Sequence, residues 1–281
     1  MSDVIHTRPP APGGGPAHGP AAVTAPAPGA GADETPEARR AAAGSRRAEE
    51  AGPRSGAPAR AALLVLADGR FPAGGHAHSG GAEAAVKSGR IQDAHGLEHF
   101  CRGRLHTTGL TAAALAAAAA LGLDPLELDV AADARTPSPA LRASGRKLGR
   151  QLMRAARATW PSPALDALAR AFPKGAHQPV VLGLLARAAG LGPEDAAHCA
   201  AYETIGGPAT AAVRLLSLDP FEATAVLARL APDMDDVARR AVTAAHRAAE
   251  LGTDALPAAS APLLDITAEQ HAAWPVRLFA S

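Results

Sequence analysis

Four histidines and a run of glycines are the residues in this sequence that could do chemistry. His76 and His78 lie two apart in the loop FPAGGHAHSGG, and His95 and His99 stand at i and i+4. The second pair shares one face of any helix that holds it. Imidazoles at that spacing can ligate zinc or nickel. A stable site needs a third ligand, and Cys101, the nearest candidate, points away from the His95/His99 face. Surface or capping histidines are the plainer reading, so His76, His78, His95 and His99 are only weak metal candidates. The loop's glycines suggest anion binding, because exposed N–H groups at a helix start attract negative charge. A phosphate cradle also needs a cation, and neither G-x-x-x-x-G-K-[ST] nor any lysine directly after the glycines is present. A proline–glycine turn that permits close packing and starts a helix accounts for the same residues. Asp68, Glu83, Glu98, Tyr202 and Glu203 fall in no G-x-S-x-G, H-E-x-x-H or comparable arrangement. No catalytic residue and no bound cofactor is expected.

Two further stretches carry recognition chemistry. Arg142, Arg146, Arg150 and Arg154 repeat every four residues beside Lys147 and Arg157. On a helix they make a positive stripe, either a solvated face or a dock for an acidic partner. With 28 basic and 27 acidic residues the formal net charge is +1, which argues against nucleic acid. The closing WPVRLFAS puts Trp274, Val276, Leu278 and Phe279 around Arg277. Apolar anchors with an arginine are interface materials, and a tail packed on its own domain is the equal alternative.

The elements that must position these residues read as helices. Apolar residues make up 47% of the 281-residue chain but aromatics only 3%, so the core must be Ala, Leu, Val and Ile. Such sequence packs most easily as close helices. Residues 1–58 are Pro/Gly/Ala-rich without hydrophobic periodicity and are expected to be disordered. Residues 59–281 form the domain. A long helix runs through DAHGLEHFCRGRLHTTGLTAAALAAAAALG, broken near Gly109. Asp124-Pro125 starts the next, and Ser138 is the candidate N-cap of SPALRASGRKLGRQLMRAARA. GPEDAAHCAAYETIGG and GPATAAVRLLSL read as a helical pair, and ALPAASAPLLDITAEQHAAWPVRLFAS as an extended tail. No run alternates with period two. The predicted fold is all-α, a single bundle of about eight to ten helices at ordinary helix and loop lengths. The first residues lack a signal-peptide pattern. Thr111–Leu123 is too short for a membrane span, which takes roughly 18–20 residues. Cys101 and Cys199 form no C-x-x-C. A reducing cytoplasm and no membrane are expected.

Four segments in order resemble the urease accessory protein UreF family: FPAGGHAHSGGAEAAVKSG, SGRKLGRQLMRAA, HQPVVLGLLARAAGL, and TAAVRLLSLDPFEATAVLARL with the closing PLLDITAEQHAAWPVRLFAS. The resemblance covers about residues 59–281. It implies an all-helical, dimeric, non-enzymatic protein that binds UreD (UreH in some organisms) and recruits the GTPase UreG. That assembly delivers nickel to apo-urease, so nickel is handled by the complex and stable binding by this chain is not implied. The matching positions are Pro72, Gly74, Gly75, Ser79, Gly81, Glu83, His177, Pro179, Gly183, Arg214, Arg277, Leu278, Phe279 and Ser281. Of these Pro72, Gly74, Gly75, Ser79, Glu83, Arg277, Leu278, Phe279 and Ser281, with His76, are the implied partner-binding residues. Three positions depart from the family pattern: His76 replaces an aromatic, Ala82 a leucine, and Ala272 a glutamate. The alternative is a helical metal- or phosphate-binding enzyme using the GGHAHSGG loop and His95/His99.

Overall fold

A computed structural model describes residues 57–281, which are helical with no strand among them. The extension expected to be disordered lies outside the described residues, apart from its last two, which begin α1 (Ala57–Ala67). After a 3₁₀ turn at Gly75–Ala77 come α2 (Ala82–Lys87) and α3 (Ala94–Arg104). A single π turn, Leu105–Gly109, joins α3 to α4 (Leu110–Leu121) in one rod, so the expected break at Gly109 is a bulge and the axis continues. Then follow α5 (Pro125–Ala134), α6 (Pro139–Thr159), α7 (Pro163–Ala171), α8 (Gln178–Ala188) and α9 (Pro193–Leu216). The last are α10 (Pro220–Arg229), α11 (Ala231–Leu251) and α12 (Pro262–Ala272).

The centre is α4, buried nearly all round, with α8, α9 and α11 packed on it. Alanine permits this: side chains that end at Cβ let helix axes approach toward the low end of the usual spacing, about 8 Å. At Gly183 of α8 even a Cβ is excluded, because it would stand 2.2 Å from the Ala116 carbonyl oxygen. Leucines and isoleucine such as Leu97, Leu128, Leu182, Leu185 and Ile205 fill the remaining space. Helix starts follow the sequence signals. Ser138 Oγ accepts from the Leu141 amide at 3.1 Å, and Asp124 Oδ1 from Leu126 at 2.9 Å.

Two helices differ from the sequence expectation. The supposed pair around Gly206-Gly207-Pro208 is one helix, α9. Pro208 has no amide to give the Thr204 carbonyl four residues back. Arg104 Nε supplies the missing donor at 3.1 Å, from the end of α3. The closing segment is also not wholly extended, since Pro262–Ala272 is helical. Its pattern is inverted: Thr267 and His271 are buried while Leu263 and Ile266 are each 56% exposed. Only residues beyond Ala272 form the tail.

Candidate functional site: the junction of loop and tail

The glycine loop, α2 and the tail meet at one place. Gly80 and Gly81 both adopt positive φ, 59° and 88°, which turns the chain sharply into α2. A Cβ on Gly81 would press on Leu264 Cδ2 at 3.1 Å, so the turn also seats α12. The tail then runs back along the loop. Ser79 donates both its amide and its hydroxyl to the Ser281 main-chain oxygen, each at 2.7 Å, and the Ala280 amide donates to Ala77 O at 2.7 Å. His78 Nδ1 lies 2.7 Å from Ser281 Oγ.

Glu83, one turn on, closes the junction. Its Oε1 accepts from the Leu278 amide at 2.8 Å, and its Oε2 from Phe279 at 3.1 Å and from His271 Nε2 at 2.7 Å. Burial pushes the Glu83 carboxyl up, but the Leu278 amide, the His271 imidazole and the Phe279 amide together outweigh it. The group sits below its usual range. Phe279 is buried, with the Arg214 guanidinium 5.0 Å from its ring centre. Lys87 Nζ lies 3.9 Å over the Trp274 ring. Two matching positions, Arg214 and Phe279, are thus a cation–π pair within the chain.

The sequence-expected partner-binding residues fall into two sets. Ser79, Glu83 and Phe279 are buried in the junction, with Ser281 half-buried beside them. Pro72, Gly75, His76, Arg277 and Leu278 are exposed and Gly74 is half-buried. His76 and His78 part company, one exposed and one buried. Burial and the Lys147 ammonium hold the His78 imidazole below its usual pKa, and its Nε2 is buried without a hydrogen-bond partner among the described residues. His95 and His99 stand exposed on α3 with their Nε2 atoms 3.0 Å apart. Cys101 is buried in the core, its thiol pushed up to about 12 by burial. No group of three or more His, Cys, Asp or Glu among the described residues could hold a metal ion.

The remaining polar residues mostly tie helices together. Arg146 of the basic ladder reaches Asp129 at 3.0 Å and Asp133 at 2.8 Å, and Arg157 reaches Asp166 at 2.6 Å. Arg150 and Arg154 remain as exposed cations. His177 stands at the N-cap position of α8, its amide donating to Asp129 Oδ1 at 2.6 Å and its Nε2 2.9 Å from Asp133. Asp68 pairs with Arg70 at 2.6 Å, and Glu98 with Arg102 at 3.0 Å and Arg229 at 2.7 Å. Glu203 differs. Burial pushes its carboxyl up to about 7, against the Gln178 amide that contacts it, and it lines a cavity of about 390 Å³ beside His78. Sequence reasoning passed over Arg104, which carries no motif and whose role depends on Pro208 more than a hundred positions away.

Comparison with known proteins gives a consistent match. The UreF family model matches residues 91–231. The urease accessory protein UreF of Mycolicibacterium vanbaalenii is 44% identical over 225 residues, covering 79% of this chain and 98% of that protein. The protein of the same name from Mycobacterium marinum is 43% identical over 222 residues, covering 79% and 98%. That of Mycobacterium tuberculosis strain H37Rv is 41% identical over 212 residues, covering 75% and 93%.

Proposed function

The chain belongs to the UreF family of urease accessory proteins, and from that premise we propose that it is a scaffold in the maturation of apo-urease. It is an accessory protein, the name its relatives carry, and in this reading it is not an enzyme. In this reading it works in the cytoplasm as a homodimer, binds UreD (or UreH) and recruits the GTPase UreG. Nickel is the cargo of the assembly, and residues 59–281 are the working domain behind an extension of 58 residues. Among the described residues no helix is long and apolar enough to cross a membrane.

The observation that best supports a docking role is the junction. Buried hydrogen bonds fix the tail's backbone while Val276 and Leu278 stay 78% and 68% exposed. A tail held in one conformation presents apolar side chains without a large ordering cost on binding. Pro72, Gly75, His76 and Arg277, exposed on the same two segments, are the proposed contact residues. Glu83 and Phe279 act by holding the tail. The test is co-purification of the full chain with its cognate UreD and UreG, together with urease activity in a strain lacking this gene. Fully active urease in that strain, with no UreD complex, would refute the reading.

A further inference from the structure

Sequence alone weighs against the glycine loop as an anion site because no lysine directly follows the glycines. The fold brings cations to it from three other elements. A cavity of about 230 Å³ opens beside Gly80 and Gly81, and its wall includes Arg104 from the end of α3, Lys147 from α6 and Arg277 from the tail. Ser144 and Thr267 add hydroxyls, and no Asp or Glu is among the lining residues.

None of the three cations has a carboxylate within 4 Å among the described residues, whereas Arg70, Arg102, Arg142, Arg146, Arg157 and Arg229 each do. The nearby carboxylate, Glu83, is occupied by His271 and two tail amides. Arg104 is the most telling. Its Nε and Nη1 donate to the carbonyls of Thr204 at 3.1 Å and Gly80 at 2.7 Å, both neutral acceptors. The guanidinium is therefore fixed in place with no Asp or Glu carboxylate bonded to it, and part of its five-donor fork is unused. A cation partly withdrawn from water without a counter-charge is costly, which applies to Arg104, whereas Lys147 and Arg277 are exposed cations on the same wall. The adjoining larger cavity shares Gly80, Arg104 and Ser144 as wall, adds the unpartnered Nε2 of His78, and holds its acidic residues, Asp68 and Glu203, outside the smaller cavity.

We propose that the cavity between the glycine loop, α6 and the tail is a binding site for a small inorganic oxyanion of the phosphate class. Arg104 is the fixed charge and Lys147 and Arg277 close over the anion from either side. Its volume lies below the roughly 300–1,000 Å³ of drug-sized pockets, which suits an anion of a few atoms with ordered water. Guanidinium and ammonium donors are the usual partners of such an anion. The inference concerns a ligand of the isolated chain and stands independently of the scaffold reading.

The test is calorimetric titration of the full chain with inorganic phosphate at pH 7, against chloride at equal ionic strength. Saturable one-to-one binding is expected. Lys147→Ala should weaken it tenfold or more, with circular dichroism and phosphate-free melting temperature unchanged. Arg154→Ala, which removes an exposed cation of the same helix outside the cavity, should leave the affinity as it was. Because Arg104→Gln also removes two structural hydrogen bonds, the proposal is judged on Lys147. Phosphate heats no larger than those of chloride would overturn it and favour an acidic side chain of a partner protein as the occupant. Equal losses in Lys147→Ala and Arg154→Ala, or none in Lys147→Ala, would overturn it as well.

Discussion

Glu83 is one carboxylate holding three donors from a segment almost two hundred residues away, so its substitution tests the junction most directly. Glu83→Gln preserves shape but replaces an ionised acceptor by a neutral one, and hydrogen bonds to charged groups contribute about 1.5–3 kcal/mol each. A loss of about 1–3 kcal/mol in denaturant unfolding is expected, with faster amide exchange at Leu278 and Phe279. The pH dependence has a definite sign. The folded pKa of Glu83 is lowered, so its contribution is present above the unfolded value near 4.5 and is lost as pH falls through the folded one. Protection of the two tail amides should therefore decline on acidification in the parent and be flat in the variant. Glu203 has the opposite sign. Its pKa is raised to about 7, so the folded state holds a proton that the unfolded state has released, and stability drops as pH rises from about 4.5 to 7. Glu203→Gln should be more stable than the parent at pH 8, by about 1–3 kcal/mol in urea unfolding, and equal to it only below about pH 4. Neither role could be read from sequence. Glu83 was legible as a motif position near a helix start, but its partners are set by where the tail lands, and Glu203 owes its shift to burial alone.

At the scale of elements, sequence and structure agree wherever one residue's chemistry decides the matter. Ser138 and Asp124 cap because their short oxygens reach an amide two or three residues on, and that reach is local. They diverge where a distant group overrides the local signal. Gly206-Gly207-Pro208 should end a helix, yet α9 continues because Arg104 satisfies the carbonyl that proline leaves bare and the surrounding helices bury the segment. In α12 Thr267 and His271 are buried while Leu263 and Ile266 are exposed, so no apolar periodicity marked it. The Gly80–Gly81 turn lies between these two helices and couples them. A Cβ at Gly81 meets Leu264, and one at Gly80 meets Pro208 at 3.2 Å. Gly81→Ala forces an L-residue to φ 88°, which costs about 1–2 kcal/mol, with the Leu264 contact added. The melting temperature should fall accordingly, and α12 and the tail should lose amide protection before the α4 core does. Uniform loss across the chain would show that the turn does not hold those elements in particular.

For the whole molecule, the question is whether the junction serves the fold or a partner, and removing residues 274–281 cannot separate the two. That deletion removes Phe279 from its buried place, takes the tail partners from Ser79 and His78, and leaves Glu83 with His271 alone, so lost complex formation would follow from either role. Leu278 separates them. Its amide is held by Glu83 while the residue is 68% exposed, so Leu278→Ala keeps every hydrogen bond of the tail and removes mostly surface that solvent already sees. The isolated chain should melt within about 1 °C of the parent, since a surface substitution of this kind changes stability by no more than about 0.5 kcal/mol. If the tail is the docking face for UreD, burying that leucine contributes about 1.5–3 kcal/mol to the complex, and its loss should weaken co-purification or surface-binding affinity about tenfold or more. Val276→Ala, at 78% exposure on the same stretch, should behave alike, whereas Phe221→Ala removes the 83% exposed side chain of α10, away from the junction, and should not. An unchanged UreD affinity in both tail variants would place the docking face elsewhere on the bundle and leave the junction as a clasp that closes the fold.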